Sequence, residues 1–186
     1  MVLKDLFRNT FAKPVFNSNA IKNPSIFSFE LEDERNGKIK LEDYRGKITV
    51  IVNSASACSF TPQYKGLQSL YMQMKNELVV LAFPCNDFGA QEKLKNVEIK
   101  TFCSANFGVT FPVYNKIKIK GKQISPLYKW LSDAKLNGWN NQLPAWNFWK
   151  YVLNEEGKLV AVFPSRFTID KKQIEKLKNP SLIRNG

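Results

Sequence analysis

Histidine is absent from this chain of 186 residues, so the commonest metal ligand and the usual general base at neutral pH are both missing. Cysteine is scarce: Cys58, Cys85 and Cys103 are the only three, and their spacings do not form a CxxC motif for zinc or for a local dithiol. So few cysteines exclude a disulfide-rich secreted scaffold and favour reduced thiols in an intracellular compartment. Acid–base chemistry must therefore come from thiols, carboxylates or oriented dipoles.

Long apolar runs are lacking as well. No stretch approaches the 18 apolar residues of a membrane span, and no short apolar run follows a basic amino terminus as in a secretory signal. Acidic residues are outnumbered by basic ones, 16 against 28, which gives a net charge of +12. The lysines are spread over every segment instead of forming an arginine-rich arm, so we expect no nucleic-acid partner. This charge favours contact with acidic proteins or anionic lipid head groups.

The first 24 residues differ in charge from the rest of the chain, because basic residues dominate them and Asp5 is the only acidic one. We predict a basic, flexible amino-terminal extension over residues 1–24 and a single domain over residues 25–180. Both organelle transit peptides and ordinary mobile extensions have this bias. We therefore expect a cytoplasmic protein, with an organelle as the alternative.

Two apolar segments predict the centre of a sheet. KITVIVN (47–53) and LVVLAFP (78–84) are rich in β-branched residues and almost continuously apolar, which is typical of strands covered on both faces. Between them, Thr61-Pro62 predicts the start of a helix whose apolar residues recur at helical spacing up to position 74. Strand, helix and strand in this order form a βαβ unit with parallel strands.

The remaining segments alternate between strand and helix patterns. They are an amino-terminal hairpin (25–31 and 38–41, turning at Asn36-Gly37), a helix over 96–107 that ends at Gly108, a strand over 111–119, a helix opened by Ser125-Pro126, a closing hairpin (148–153 and 158–163) and a short basic helix near 170–178. Parallel and antiparallel strands with helices on both faces predict a three-layer α/β/α sandwich with a mixed central sheet.

Cys58 follows the first buried strand and precedes the first helix. Ligands bind in this crevice in open α/β sheets, and the free N–H groups of the first helical turn favour a nucleophilic thiolate there. A free cysteine is also a common small packing residue, so position alone leaves both interpretations open. If Cys58 reacts, the missing histidines argue against a cysteine hydrolase, and the missing second cysteine argues against a disulfide exchanger. Attack on the O–O bond of a peroxide, which yields a sulfenic acid, remains.

Five blocks of the sequence resemble the successive signature segments of the glutathione peroxidase family, over about residues 25–175. They are NSASACSFTPQYKGLQSLY, LAFPCNDFGAQE, FCSANFGVTFPVYNKIKIKG, PLYKWL and AWNFWKYVLNEEGK. The resemblance implies a thioredoxin-like form of the α/β/α sandwich. It also implies a thiol peroxidase that reduces hydrogen peroxide and organic or lipid hydroperoxides in the response to oxidative stress.

The resemblance assigns partners to Cys58. In the family a cysteine or selenocysteine occupies this position, supported by a glutamine that matches Gln91 and by a Trp-Asn pair that matches Trp146 and Asn147. All three side chains are neutral hydrogen-bond donors, which can stabilise a thiolate and donate to the departing oxygen. Taken singly, they would be a surface amide, a core aromatic and a turn residue. Only the joint match assigns them a catalytic role.

The resemblance also makes Cys103 the counterpart of a resolving cysteine, which attacks the sulfenic acid and closes an intramolecular disulfide. By itself, Cys103 would be a packing thiol on a helix face. The Cα atoms of a disulfide lie within about 7 Å of each other, so if the two cysteines begin farther apart, the helix of Cys103 must partly unwind. We therefore expect a mobile segment near residues 96–108. Members of this type are typically re-reduced by a thioredoxin-like protein rather than by glutathione, and we expect such a dithiol here, with glutathione as the alternative. An external thiol is therefore the only reductant implied, and no metal or bound cofactor is expected.

Three positions depart from the family pattern: Ser59 replaces a glycine, Asp87 replaces a glutamine, and Lys93-Leu94 replace Pro-Gly. Asp87 bears most on the mechanism, because a carboxylate near Cys58 would disfavour its thiolate. Cys85, at the end of a buried strand, is expected only to pack.

The short segment over residues 132–145 resembles that of monomeric family members, whose open site accepts bulky lipid hydroperoxides. We therefore expect a monomer, with a basic surface that favours peripheral contact with anionic membranes. Two other functions stay open at this point. One is a peroxide sensor that passes its oxidation to a regulatory partner, and the other is an inactive binding module of thioredoxin fold, for which Ser59 and Asp87 are the hints.

Overall fold

A five-stranded mixed β-sheet lies at the centre of the structure. The computed structural model describes residues 13–28, 32–33 and 37–178. Across the sheet, the strands are β1 (Val15–Phe16), β7 (Leu159–Phe163), β6 (Lys150–Leu153), β4 (Ile48–Ser54) and β5 (Leu78–Pro84). β4 and β5 pair in parallel, and the other neighbours pair antiparallel. The predicted mixed sheet is therefore confirmed, including its βαβ unit and closing hairpin.

Helices cover both faces of this sheet. Within the described ranges they are α1 (Gln63–Gln73), α2 (Asn96–Phe107), α3 (Pro126–Leu131), α4 (Ala134–Asn137) and α5 (Lys171–Lys178). Buried side chains of α1, α2 and α5 pack in one hydrophobic cluster, and those of α3 pack in the other. Among the described residues, none of these helices is long and apolar enough to cross a membrane.

The burial of β4 explains why the sheet has helices on both faces. Val50 and Val52 pack in the cluster with α1 and α2, while Ile51 packs in the cluster with α3, because successive side chains of a strand point to opposite faces. All seven residues of β4 and all seven of β5 are buried. Each fully buried aliphatic side chain contributes about 1.5–3 kcal/mol, so these two strands form the most stable part of the core.

The amino-terminal hairpin differs from its prediction. β2 (Glu32–Asp33) and β3 (Gly37–Lys38) do pair antiparallel, while Asn36 lies outside the described residues. The predicted strand over 25–31 is wrong where it is described, because Ile26–Ser28 form a 3-10 turn. The Ser25 hydroxyl accepts a hydrogen bond from Phe27 N–H (3.2 Å) and donates one to the Glu156 carbonyl (2.5 Å). The bond between Ser25 and Phe27 is local and favours a turn over a strand, and the bond to Glu156 fixes this turn against a distant loop.

The predicted strand over 111–119 is also wrong. This segment makes an isolated parallel bridge to β5, between Val113 and Ala82. Ala82 N–H donates to the Pro112 carbonyl (3.0 Å), and Tyr114 N–H donates to the Ala82 carbonyl (2.9 Å). The ladder does not extend further as a regular strand, since Pro112 has no N–H to donate.

The second half of the predicted amino-terminal extension is part of the folded domain. Val15 and Phe16 form β1, which pairs with β7 at the edge of the sheet, and Ala20 is buried in the core. The prediction of a flexible segment is therefore wrong for residues 13–24, where paired backbone and a buried side chain hold the chain. Residues 1–12, which it also included, lie outside the described residues.

Candidate active site

Cys58 lies in the turn between β4 and α1 and is 7% exposed. Its sulfur accepts a hydrogen bond from Phe60 N–H at 3.4 Å. Thr61 holds the turn, because its hydroxyl accepts from Cys58 N–H (3.0 Å) and donates to the Ala55 carbonyl (2.9 Å). The sequence predicted that the helix starts at Thr61-Pro62, but the Thr61 hydroxyl bonds back to the turn and α1 begins at Gln63. The result is a thiol that is held in a fixed turn with a backbone N–H directed at its sulfur.

Gln91 and Asn147 meet beside this turn. The Asn147 side-chain amide donates to Gln91 Oε1 at 3.0 Å, and Ala57 N–H donates to the Gln91 carbonyl at 3.1 Å. Because its oxygen already accepts a hydrogen bond, Gln91 keeps its Nε2 amide for donation. Asn147 is fully buried. The structure thus places two of the predicted site residues in contact with each other, and one of them against the residue before Cys58.

Trp146 extends this cluster on the side of Phe88. It is half-buried, and its ring centroid lies 6.1 Å from that of Phe88. A Cβ atom at Gly89 would lie 3.2 Å from Trp146 Cη2, so the glycine allows the indole to lie close to the chain before Gln91. Trp146 is therefore placed with the glutamine and asparagine, at the same end of the sheet as Cys58.

Asn53 fixes the segment that contains Trp146 and Asn147, and sequence reasoning missed it. This fully buried residue of β4 donates from Nδ2 to the Trp146 carbonyl (3.0 Å) and accepts at Oδ1 from Trp149 N–H (3.0 Å). Both polar groups of the Asn53 side chain thus bond to the backbone of the loop that carries Trp146 and Asn147. The available signal was a single amide in an otherwise apolar strand, which calls for a buried partner.

Two backbone positions of unusual conformation flank the predicted site residues. Ala90 (φ 51°) and Phe148 (φ 63°) are the non-glycine residues with positive φ in the described part of the chain. Ala90 immediately precedes Gln91, and Phe148 immediately follows Asn147. The left-handed conformation costs about 1–2 kcal/mol for an L-residue with a Cβ atom, so the surrounding packing holds both loops in place against this cost.

Glu92 is a second functional neighbour that the sequence did not reveal. It is fully buried, and its Oε2 accepts from Ser56 N–H (2.9 Å) and from the Ser56 hydroxyl (2.8 Å). Its own N–H donates to Asn86 Oδ1 at 2.8 Å. Burial raises the pKa of Glu92, against the lowering effect of the Ser56 hydrogen bonds. This carboxyl group links the Cys58 turn to the loop that carries Gln91.

Cys103 lies on the buried face of α2 and is 1% exposed. It belongs to the same buried cluster as Cys58, and both thiols are free. Burial raises the pKa of Cys103, the Tyr64 hydroxyl beside it acts in the opposite direction, and the charge of Glu92 raises it further. In this state the structure therefore places the second predicted thiol inside the core, next to Tyr64.

The partners of the Asp87 carboxylate lie over residues 118–120. Its carboxylate pairs with Lys118 Nζ (2.9 Å) and accepts hydrogen bonds from Ile119 N–H (2.7 Å) and Lys120 N–H (3.1 Å). Partial burial would raise the pKa of Asp87, but these partners outweigh it and the pKa lies below its usual value. Asp87 therefore holds the segment over residues 118–120.

Cys85 is a packing residue in this structure. It is fully buried, and burial raises its pKa to about 12. A thiol with such a pKa stays protonated at neutral pH, and the thiolate is the nucleophilic form. The expectation that Cys85 only packs agrees with this environment.

An open pocket of about 540 Å³ lies beside the cluster, between the Cys58 turn and α2. Ala57 and Gln91 line one side of it, and Leu94 and Phe102 line another. Its volume falls in the range of about 300–1,000 Å³ that is usual for small-ligand sites. Among the described residues, no group of three or more cysteine, aspartate and glutamate side chains is placed to hold a metal ion.

Comparison with protein families gives a match to the glutathione peroxidase model over residues 26–132. The glutathione peroxidase homolog BsaA of Staphylococcus aureus (strain MW2) is 41% identical over 156 residues, an alignment that covers 82% of this chain and 98% of that protein. A probable glutathione peroxidase 8 of Homo sapiens is 39% identical over 157 residues, covering 83% of this chain and 69% of that one.

Solved structures are similar over most of the chain. The crystal structure of Trgpx in its apo form has a TM-score of 0.61 and 36% identity, and the alignment covers 84% of this chain and 98% of that chain. GPX1 of T. cruzi has a TM-score of 0.61 and 28% identity, with 86% and 97% covered. These neighbours bear out the thioredoxin-like α/β fold that the resemblance implied.

Proposed function

The chain belongs to the glutathione peroxidase family and is a peroxidase, and we propose that it works as a two-cysteine thiol peroxidase with Cys58 as the nucleophile. The observation that carries this proposal is the contact of Asn147 with Gln91 and of Gln91 with the turn of Cys58. Three loops that are far apart in the sequence converge there, and each supplies a residue type that the chemistry needs.

In the first step, the Cys58 thiolate attacks the terminal oxygen of a hydroperoxide. The S–O bond forms, the O–O bond breaks, and the departing alkoxide takes up a proton to leave as an alcohol, or as water when the substrate is hydrogen peroxide. The Nε2 amide of Gln91 and the indole N–H of Trp146 are suited to donate to the developing negative charge on that oxygen. Asn147 positions Gln91 for this role through the hydrogen bond at 3.0 Å.

In the second step, the Cys103 thiolate attacks the sulfenic acid of Cys58. The S–S bond forms, the S–O bond breaks, and hydroxide leaves and is protonated to water. Cys103 has to leave its buried position for this step. Of the twelve residues of α2, only Ile99 and Cys103 itself are buried, which supports local unwinding of this helix.

The disulfide is then reduced by a thioredoxin-like dithiol, with glutathione as the alternative reductant. Members of the family use no prosthetic cofactor, so the electrons come from this external thiol. Cys103 favours a dithiol as the reductant, because the intramolecular disulfide between Cys58 and Cys103 is a natural substrate of thiol–disulfide exchange. The physiological role that fits this cycle is removal of hydroperoxides under oxidative stress.

The substrates include organic and lipid hydroperoxides besides hydrogen peroxide. The open pocket beside Gln91 supports this breadth, because apolar side chains line much of it. We also propose a cytoplasmic monomer, with an organelle as the alternative location, whose net charge of +12 favours peripheral contact with anionic membranes. Vesicle binding that weakens with added salt would support that contact.

Peroxide consumption with thioredoxin and with glutathione tests the proposal in the wild type, Cys58→Ser and Cys103→Ser. We expect turnover with thioredoxin, none in Cys58→Ser, and a loss of more than about 100-fold in Cys103→Ser with thioredoxin. Full activity of Cys103→Ser with thioredoxin would remove its resolving role. Stoichiometric oxidation of Cys58 without turnover by either reductant would instead favour a peroxide sensor.

A further inference from the structure

Glu92 is a buried carboxyl group beside the turn of Cys58, and the proposed cycle gives it no task. Its oxygen Oε2 accepts hydrogen bonds from the N–H and from the hydroxyl group of Ser56, at 2.9 and 2.8 Å. Its other oxygen, Oε1, is buried and has no hydrogen-bond partner among the described residues. An unpaired buried acceptor is unfavourable and rare in folded proteins, so this oxygen calls for an explanation.

The position of Glu92 relates it to both cysteines of the proposed cycle. Ser56, which bonds to the carboxylate, stands two residues before Cys58. Phe102, which precedes Cys103 on α2, lines the same open pocket as Ser56 and the residues on either side of Glu92. Burial raises the pKa of Cys103, and the charge of Glu92 raises it further. The carboxyl group is therefore bonded to the turn of one thiol and acts electrostatically on the other.

The resolving step needs a proton acceptor, because Cys103 is buried as a thiol and the thiolate is the nucleophile. The chain has no histidine to accept this proton. Besides Cys103, the titratable groups that interact with Glu92 are Tyr64 on α1 and Lys116. Tyr64 holds its own proton, since burial raises its pKa, and Lys116 carries a positive charge. Among these groups, the carboxylate is the acceptor.

Two further properties of Glu92 suit it to accept a proton. Burial raises its pKa, against the hydrogen bonds of Ser56 and the charge of Lys116, and this brings the carboxyl group closer to a thiol in proton affinity. Its hydrogen bonds to Ser56 and Asn86 attach it to the loops around Cys58 and not to α2. Glu92 therefore stays beside Cys58 while α2 unwinds.

We propose that the Glu92 carboxylate takes up the proton of the Cys103 thiol in the resolving step and returns it to the leaving hydroxide. The inference rests on the proposed function, since it adds a proton acceptor to the same cycle. The S–H bond of Cys103 breaks, an O–H bond forms at Oε1, and the thiolate attacks the sulfenic sulfur of Cys58. As the S–S bond forms, the S–O bond breaks. The hydroxide takes the proton from Glu92 and leaves as water, which restores the carboxylate.

Single-turnover kinetics of Glu92→Gln test the proposal. The reduced protein is mixed with hydrogen peroxide, and acid quenching, thiol trapping and mass spectrometry follow Cys58 oxidation and disulfide formation separately. We expect disulfide formation to slow about 100-fold at pH 7, which is the usual contribution of a positioned general base. The deficit should shrink as the pH rises past the pKa of Cys103, because the thiol then loses its proton to water. Cys58 oxidation should slow far less.

The direction of the effect distinguishes the proposal from two other roles of the carboxyl group. If Glu92 acts only through its charge, its loss lowers the Cys103 pKa and disulfide formation at pH 7 becomes faster. If it only holds the turn, both steps slow by the same factor at every pH. Either result overturns the proposal. Glu175→Gln, which removes an exposed carboxylate from α5, is the matched control and should change neither step.

Ser56→Ala is a second test, which keeps the carboxyl group. It removes the hydroxyl bond to Oε2, so the pKa of Glu92 should rise. The acid limb of the pH profile of disulfide formation should then move upward by about one unit or less, and an unmoved limb overturns the proposal. Ser104→Ala, which removes an exposed hydroxyl from α2, should not move it. If the wild type forms no Cys58–Cys103 disulfide, the proposed cycle itself fails, whereas an unaltered profile in both variants of the Glu92 site overturns this inference alone.

Discussion

The turn that carries Cys58 and the helix that carries Cys103 are held in place very differently. Ser56, Ala57 and Cys58 each donate a backbone hydrogen bond to Glu92, Gln91 or Thr61, at 2.9–3.1 Å. Helix α2, by contrast, has two buried residues in twelve, while the six residues of α3 include four buried ones. A thiol that attacks peroxide has to be aligned beforehand, and a resolving thiol has to travel. The two attachments match the roles that we propose for Cys58 and Cys103.

Hydrogen exchange gives the largest expected contrast between the regions. Amides in the middle of α2 should exchange at least about 100-fold faster than those of β4, because few buried contacts oppose local opening of the helix. Helix α3 serves as the control, since its buried Leu127, Tyr128, Trp130 and Leu131 should protect it. Mass-spectrometric or NMR exchange of the reduced protein measures both. Equal protection of α2 and β4 would contradict local unwinding as the route of Cys103.

Thr61→Val removes hydrogen bonds that hold the turn of Cys58. Thr61 is 5% exposed, and the substitution keeps its shape but leaves Cys58 N–H and the Ala55 carbonyl without partners. We expect a loss of about 2 kcal/mol in the free energy of unfolding, together with slower oxidation of Cys58 by peroxide. Urea denaturation and stopped-flow oxidation measure the two effects.

Thr101→Val on α2 is the matched control for that substitution. Thr101 is exposed, and its hydroxyl donates to the Val97 carbonyl within the helix. Its free energy of unfolding should therefore change by less than about 0.5 kcal/mol. A similar loss in both variants would mean that the turn of Cys58 is no more tightly held than the surface of α2.

The elements that could be predicted from sequence are those whose own residues determine them. β4, β5 and α2 were foreseen because continuous apolar runs and a glycine stop act locally, and Gly108 does end α2 with φ 62°. The segments over 25–31 and 111–119 were not, because their backbone partners lie elsewhere: Glu156 for Ser25 and β5 for Pro112. A sequence pattern does not specify such distant partners.

In the candidate site, too, some residues could be predicted from the sequence and others could not. Cys58 could be proposed from its place between strand and helix, and Gln91, Trp146 and Asn147 from the joint resemblance. Asn53 and Glu92 stand inside two of the resembling blocks, but the resemblance assigned no role to either, and their contacts depend on loops that meet only after folding. The direction of the Asp87 side chain was equally hidden. Its partners over 118–120 lie more than thirty residues along the chain.

Lys150, a buried residue of β6, makes the free energy of unfolding depend on pH. It follows the Trp146–Asn147 segment on β6, is fully buried, and donates to the carbonyls of Ser165 and Phe167. Burial lowers its pKa to about 7, whereas in the unfolded chain the value is about 10.4. Between these values the unfolded state binds more protons, so the free energy of unfolding rises with pH, by up to about 1.4 kcal/mol per unit.

Lys150→Met should remove this slope. Urea unfolding between pH 7 and pH 10 measures the free energy of unfolding of the wild type and of the variant. The wild type should gain stability relative to the variant as the pH rises. Below pH 7 the lysine is protonated in both states and the two curves should run parallel. Parallel curves across the whole range would mean that the ammonium group is hydrated in the folded protein.

Tyr64 connects helix α1, which follows the turn of Cys58, to helix α2. Removal of its hydroxyl should have the smallest of the effects that we predict. This buried residue of α1 contacts Cys103 on α2, and its hydroxyl opposes the rise in the Cys103 pKa that burial causes. Tyr64→Phe should therefore raise the Cys103 pKa by less than about one unit, as measured by ¹³Cβ chemical shifts of cysteine in a Cys58→Ser background. Tyr128→Phe, which removes a buried hydroxyl among the residues of the other cluster, should leave it unchanged.

The same substitution tests the order of events in resolution. If Cys103 loses its proton while α2 is still folded, Tyr64→Phe should move the pH profile of Cys58–Cys103 disulfide formation upward by the same amount as the pKa. If the pKa rises but the profile does not move, deprotonation follows the departure of Cys103 from Tyr64. The loose attachment of α2 would then control the resolving step before any acid–base chemistry at the thiol does.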